Sequence, residues 1–127
     1  MIFDKEFICQ LLEKAASSER LRQNQDLRNS AADTSQRMLN ALQPNTQVPI
    51  HRHAETAETV ICVCGCLEEI FYEPTNAGNT EFKETQRILL CPAKGCYGMQ
   101  IPAGVWHSIH VIEPSVIFEA KDGAYKG

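Results

Sequence analysis

The sequence predicts an all-β fold, a sandwich or small barrel of about eight short strands preceded by one helix. Three observations carry this. Short runs rich in β-branched and aromatic residues recur from residue 35 onward. Turn residues punctuate them in "QPNT", "EPTNAGN", "CPAKGC", "PAG" and "EPS". A single stretch shows helical periodicity, and neither a repeat nor a linker interrupts the chain.

That stretch is the first one. Phe3, Phe7, Ile8, Leu11, Leu12 and Ala15 fall at helical spacing, with Lys5, Glu6, Glu13 and Lys14 between them and Asp4 placed as N-cap. The helix is expected within 1–18. The polar text "SSERLRQNQDLRNSAADTS" reads as an irregular arm over 19–34. The candidate strands "SQRMLNALQP", "VPIHRH", "ETVICVCG", "LEEIFYE", "QRILLCP", "YGMQIP", "VWHSIHVIE" and "SVIFEAKDG" then build the barrel over 35–125, within one domain spanning 1–127.

The 127 residues suffice for one domain with a real core. A net charge of −4 provides no general attraction to nucleic acid or to an anionic membrane. The N-terminus lacks the form of a signal peptide, and no apolar run approaches the roughly 18 residues of a membrane helix. A cytoplasmic protein is expected, with its six cysteines as reduced thiols.

The chemistry-bearing residues are histidines. His51 and His53 are two apart, so a strand would place both imidazoles on one face with Cα atoms about 6.6 Å apart, close enough to share an ion. Glu58 follows closely, and His107 lies downstream just after a Pro-Ala-Gly turn. Neutral imidazoles with one carboxylate suit a divalent transition metal, with Fe, Mn, Ni, Co, Cu and Zn left open. Taken alone, an H-x-H pair is equally consistent with two surface histidines beside a loop.

"HRHAETAETVICVCG" fits the first cupin motif from its first histidine on, with His51, His53, Glu58 and Gly65 at the motif positions. "PAGVWH" fits the core of the second, with Pro102, Gly104 and His107. Together with "QRMLNALQPNTQVPIHRH", "YGMQIPAGVWHSI" and "VIFEAKDGAY", the chain resembles the small WbuC-type cupin metalloproteins over roughly residues 20 to 125. The resemblance implies a cupin double-stranded β-helix, a jelly-roll barrel holding one metal ion (Zn, Fe, Mn or Ni) through His51, His53, Glu58 and His107. It implies a setting in bacterial surface polysaccharide (O-antigen) synthesis and pairing as a homodimer. Three positions depart from the motifs. Asn45 and Cys96 stand where the opening glycines usually are, and Val111 replaces the closing asparagine of the second motif.

In "VICVCGC", alternation from an inward Glu58 sends Val60, Cys62 and Cys64 inward and Thr59, Ile61 and Val63 outward. The apolar pair Ile61 and Val63 suits a face covered by the helix or by a second subunit. Cys66 follows Gly65 at an expected hairpin turn. Cys62 stands about 13 Å along the strand from Glu58, too far to share its ion. The thiols therefore read as small apolar wall residues, with Cys96 placed to be reactive beside the second motif.

A ligand would need further polar groups. Arg22, Asn24, Arg28, Gln36, Arg37 and Asn40 precede the first motif, a combination suited to carboxylate, phosphate or sugar hydroxyls. Arg37 and Asn40 lie three apart, so a regular strand aims at most one of them inward. Arg28, Arg37, Asn40, Tyr97, Gln100 and Lys121 are the candidate ligand-binding residues, with Glu119 also in reach. Arg52 and Trp106 point away from the ligand histidines by alternation, and His110 lacks the parity to join His107. The expected function is a metal-binding cupin that acts on, or holds, a sugar, sugar nucleotide or small acid. The alternatives are an isomerase or epimerase-like enzyme, an iron-dependent dioxygenase, and a non-catalytic ligand-holding module.

Overall fold

The computed structural model describes residues 1–123; the last two residues assigned to the barrel, 124 and 125, lie outside them. Helix α1 spans Lys5–Ser17, and its N-terminus is capped by the Asp4 carboxylate, which accepts a 2.9 Å hydrogen bond from the Phe7 amide. Six strands follow: β1 Arg22–Asp26, β2 Ser35–Leu42, β3 Glu58–Pro74, β4 Phe82–Leu90, β5 Gly98–Ile101 and β6 Trp106–Asp122. A 3₁₀ turn, Pro92–Lys94, links β4 to β5. All pairings are antiparallel, in the order β1-β2-β6-β3-β4, with β5 on the free side of the first half of β3.

The strand count is lower than expected because two pairs of predicted strands fuse. β3 and β6 are each 17 residues long and pair with each other over most of their length, from Glu58↔Lys121 to Tyr72↔Trp106. Midway the register shifts between Cys62 and Leu67, opposite Glu113–Val116, and these bulges fold the sheet over on itself. Gly65 therefore lies in a bulged bend and not in a hairpin. It adopts φ +95°, and a Cβ there would fall 2.3 Å from the Pro114 carbonyl oxygen. The bend also re-aims Cys64, which packs on the helix side with Phe7 and Ile8 instead of pointing inward beside Cys62. Pro114 is tolerated in β6 because it sits at this interruption of the ladder.

The arm over 19–34 contains a strand that its composition hides. Arg22–Asp26 carries no apolar alternation, yet it pairs in register with β2 from Arg22↔Leu42 to Asp26↔Met38. It is an edge strand held through backbone hydrogen bonds, which any sequence can make. "VPIHRH" goes the other way: it forms no strand, only an isolated bridge at His51.

Two apolar clusters result. Leu42, Val60, Cys62, Leu67, Phe71, Leu90, Ile101, Val111 and Ile117 fill the interior of the folded sheet. Leu39, Ala41 and Val116 face outward and are covered by Leu11 and Ala15 of α1. β2 thus buries both faces, which is why its sequence lacks clean alternation. Asn45, at the usual glycine position of the first motif, adopts φ +76°. Asparagine is among the few residues that tolerate this conformation, so the substitution keeps the turn.

Gly65→Ala is expected to destabilise the fold by on the order of 3 kcal/mol, since the new Cβ meets backbone and the φ is unsuited to it. Gly78→Ala, where a Cβ meets nothing within 4 Å, should be close to neutral; urea unfolding of the two variants checks the contrast.

Candidate metal centre

The site is assembled where the loop carrying His51 and His53 is lashed through its backbone to the start of β6 and the turn before it. The His51 amide donates to the His107 carbonyl at 3.0 Å, and the His107 amide donates to the His51 carbonyl at 2.8 Å. Gly104, at φ +81° in the Pro-Ala-Gly turn, donates its N–H to the His53 carbonyl at 2.8 Å. Residues more than fifty positions apart are thus brought into one hydrogen-bonded pair. The imidazole centroids of His51 and His107 lie 4.2 Å apart, those of His51 and His53 5.4 Å, and those of His53 and His107 5.9 Å.

Two of the rings have their tautomers set locally. Nδ1 of His51 lies 2.9 Å from the Pro49 carbonyl, and Nδ1 of His107 lies 2.9 Å from the Val105 carbonyl. A carbonyl only accepts, so each Nδ1 carries the proton and each Nε2 keeps its lone pair. Burial holds His107 below the ordinary histidine range, which favours the neutral, ligating form. Its Nε2 is buried and has no hydrogen-bond partner. One nitrogen from each of His51, His53 and His107 falls within 4.8 Å of the others, the spacing a single ion requires.

Glu58 is buried on the inner face, with Oε2 2.9 Å from Nε2 of His53. Burial opposes its ionisation, but the hydrogen bond from His53 and the charge of the imidazoles outweigh burial and hold the carboxyl below its usual range. The donor set, three imidazoles with an adjacent carboxylate, fits a divalent transition metal.

Sequence reasoning placed Glu119 in reach of the mouth and passed over Glu69; both belong to the interior. Glu119 accepts a 3.3 Å hydrogen bond from Asn40 and is hydrogen-bonded to Glu58, which makes a chain Asn40–Glu119–Glu58–His53. Burial beside Glu58 pushes the Glu119 carboxyl up to about 8. Glu69, 1% exposed, is also raised well above the usual range by burial and by Glu119 and Glu58. Its signal was present in "LEEIFYE", where it alternates with Leu67 and Phe71, but reading it required knowing which face is inward.

The other candidates scatter. Asn40 faces inward, and Lys121 sits opposite Glu58 in the β3–β6 register. Arg37 projects from the outer face and pairs with Asp33 at 3.2 Å. Arg28 forks onto Asp26 at 2.8 Å, Gln100 bonds to the Thr59 hydroxyl, and Tyr97 is exposed. Arg37, Gln100 and Lys121 do share a cavity of about 430 Å³, whose lining includes none of the three histidines. Arg52 and Trp106 meet each other: the guanidinium stacks 4.8 Å from the indole centroid, and Phe82 backs Trp106 at 5.0 Å. This outer clasp joins the residue between His51 and His53 to the residue before His107. Two thiols of the bend are held protonated by their surroundings. Burial pushes Cys62 up to about 12, and a hydrogen bond with Cys91 raises Cys66 to about 11.

The fold is that of the cupins. The chain superposes on KdgF from Halomonas sp. with a TM-score of 0.62 at 13% identity, over 83% of this chain and 81% of that one. The cupin domain of Cnp3 from Schizosaccharomyces pombe gives 0.60 at 11% identity, over 83% of this chain and 66% of that one. The capsular polysaccharide assembling protein CapF from Staphylococcus aureus gives 0.62 at 18%, over 86% of this chain and 30% of that longer one. Residues 3–86 match the family described as a domain of unknown function, DUF6016, and the chain belongs to that family. No curated protein sequence matches it.

A raised carboxyl pKa means that the folded state holds a proton the unfolded state releases. Stability of the metal-free protein should therefore fall as pH rises from about 5 to about 8. Glu119→Gln should remove about 1.4 kcal/mol per pH unit of that slope in denaturant titrations. Glu58 acts in the opposite sense, its contribution being lost only as pH falls through its lowered value.

Proposed function

We propose that the chain is a single-domain metal-binding cupin that holds one divalent transition ion at His51, His53 and His107, with Glu58 as the adjoining carboxylate. The observation that carries this is Nε2 of His107, a buried lone pair with no protein partner, facing two further imidazoles at ligand spacing. A buried acceptor left unpaired costs about 1–3 kcal/mol, and an ion offsets that cost. The ion would supply Lewis-acid polarisation of an oxygen on a bound small molecule. The chain's own residues bind and orient: the backbone pair at His51 and His107 fixes the rings, and Asn40 and Glu119 hold Glu58 in place.

The ligand class proposed is a sugar, sugar nucleotide or small acid. The resemblance to WbuC-type proteins supports a place in surface polysaccharide synthesis, as does the shared fold with a capsular polysaccharide assembling protein. Isomerase or epimerase-like chemistry fits zinc, manganese or nickel, and dioxygenase-like chemistry fits iron. Ile61, Val63 and Tyr97 remain exposed outside the area that α1 covers, which supports pairing of two copies through this face.

Elemental analysis of protein purified without tags or chelators should find about one metal ion per chain, lost in His51→Ala and His107→Ala while both stay folded. Trp106 is the only tryptophan and precedes His107, so its fluorescence reports the same titration independently. Metal retained in both variants would overturn the assignment.

A further inference from the structure

Three cysteines of the bent end fall into one row across neighbouring chain segments. β3 and β4 pair from Leu67↔Leu90 onward, and the same register carried one residue further sets Cys66 opposite Cys91. The 3₁₀ turn Pro92–Lys94 and Gly95, at φ +77°, then turn the chain back, and Cys96 lies opposite Cys91 on its other side. None of the three belongs to the histidine site.

Backbone bonding distinguishes the two pairs. Cys91 and Cys96 exchange both of their backbone hydrogen bonds, at 2.7 and 3.2 Å. Cys91 thus turns its amide and carbonyl away from Cys66, whose own amide donates to the Ser115 hydroxyl at 3.0 Å. Cys66 and Cys91 are therefore a non-hydrogen-bonded pair, the kind whose Cα atoms approach to about 4.5 Å with the side chains closest. That separation lies within the range a disulfide spans. The two thiols are already hydrogen-bonded to each other.

Access is graded along the row. Cys66 and Cys91 are buried, and Cys96 is only half-buried. Its thiol makes one long contact, 3.8 Å, to the Lys94 carbonyl. An oxidant in solution meets Cys96 first.

We propose that Cys96, Cys91 and Cys66 form a thiol–disulfide relay, in which Cys96 takes up a small external disulfide and the oxidation ends as a buried Cys66–Cys91 bond. The Cys96 thiolate attacks one sulfur of the oxidant R–S–S–R, whose S–S bond breaks, and one thiol RSH leaves with the proton. Cys91 attacks the Cys96 sulfur of the mixed disulfide and expels the second RSH, which carries off the Cys91 proton. Cys66 then attacks the Cys91 sulfur and passes its proton to the departing Cys96. In sum two protein thiols are oxidised and one external disulfide is reduced to two thiols. The half-exposed Cys91–Cys96 bond is the labile one, and the buried bond is the one retained. It ties the bend of β3 to the segment feeding β5, the strand that pairs with Glu58–Ile61.

The test uses the Cys9→Ser protein, which removes the exposed thiol of α1. The folded protein is incubated with oxidised glutathione at about pH 8, quenched by alkylation and mapped by proteolysis and mass spectrometry. Two free thiols should be lost per chain, with Cys66 linked to Cys91, and dithiothreitol should restore both. Cys96→Ser should slow the oxidation at least about tenfold and leave the same linkage. Cys66→Ala should halt the relay at Cys91–Cys96. Cys96→Ser, at the half-buried position, carries the test if Cys66→Ala does not fold. The proposal is overturned by full retention of free thiols, by any final product other than the Cys66–Cys91 bond, or by an unchanged rate in Cys96→Ser.

Discussion

The reciprocal backbone pair between His51 and His107 is the constraint on which the site depends. It joins an irregular loop to the start of β6, so the first loop needs no ladder of its own. Side-chain positions follow from it. Each paired histidine is set by the carbonyl two residues before it, Pro49 for His51 and Val105 for His107, which leaves each Nε2 with its lone pair. Gly104 adds a third backbone bond to His53, and the Arg52–Trp106 stack closes the outside of the same junction. Imidazole geometry is thus imposed by main-chain bonds and one cation–π contact, groups that are satisfied with or without an ion.

Around this junction the interior is costly. Glu58, Glu69 and Glu119 withdraw from water, and the raised carboxyls of Glu69 and Glu119 mark places where stability near neutral pH has been given up. Only Glu58 has a cationic or ring partner to hold it ionised; Glu119 relies on Asn40, and one oxygen of Glu69 has no partner. The opposite, bent end of the sheet carries no such cost. Cys62, Cys66 and Cys91 pack there as apolar groups beside Gly65, and burial keeps Cys62 protonated. The molecule is divided between a well-satisfied floor and an under-satisfied mouth.

Much of this was legible in the sequence. The histidine spacings, Glu58 and the Pro-Ala-Gly turn announced the site because metal chemistry restricts residue type, and the amphipathic period announced α1. Strand β1 was illegible, since an edge strand draws on backbone pairing and "RQNQD" advertises nothing. The fusion of predicted strands into β3 and β6 was illegible too, because a bulge and a chain break present the same local text around Gly65 and Pro114.

Alone, the sequence determined the all-β class and the parity that separates Asn40 from Arg37, because these follow from local period, and the resemblance to the cupin motifs singled out the four candidate ligands. Tertiary structure decided which polar residues share the interior. Glu69 and Glu119 are 50 positions apart on different strands, and only the fold-over at the bulged bend turns both toward Glu58. The physical reason is that a one-residue bulge reverses every side chain beyond it. The inward set of a long strand is therefore settled by the partner strand's register and not by the strand's own sequence.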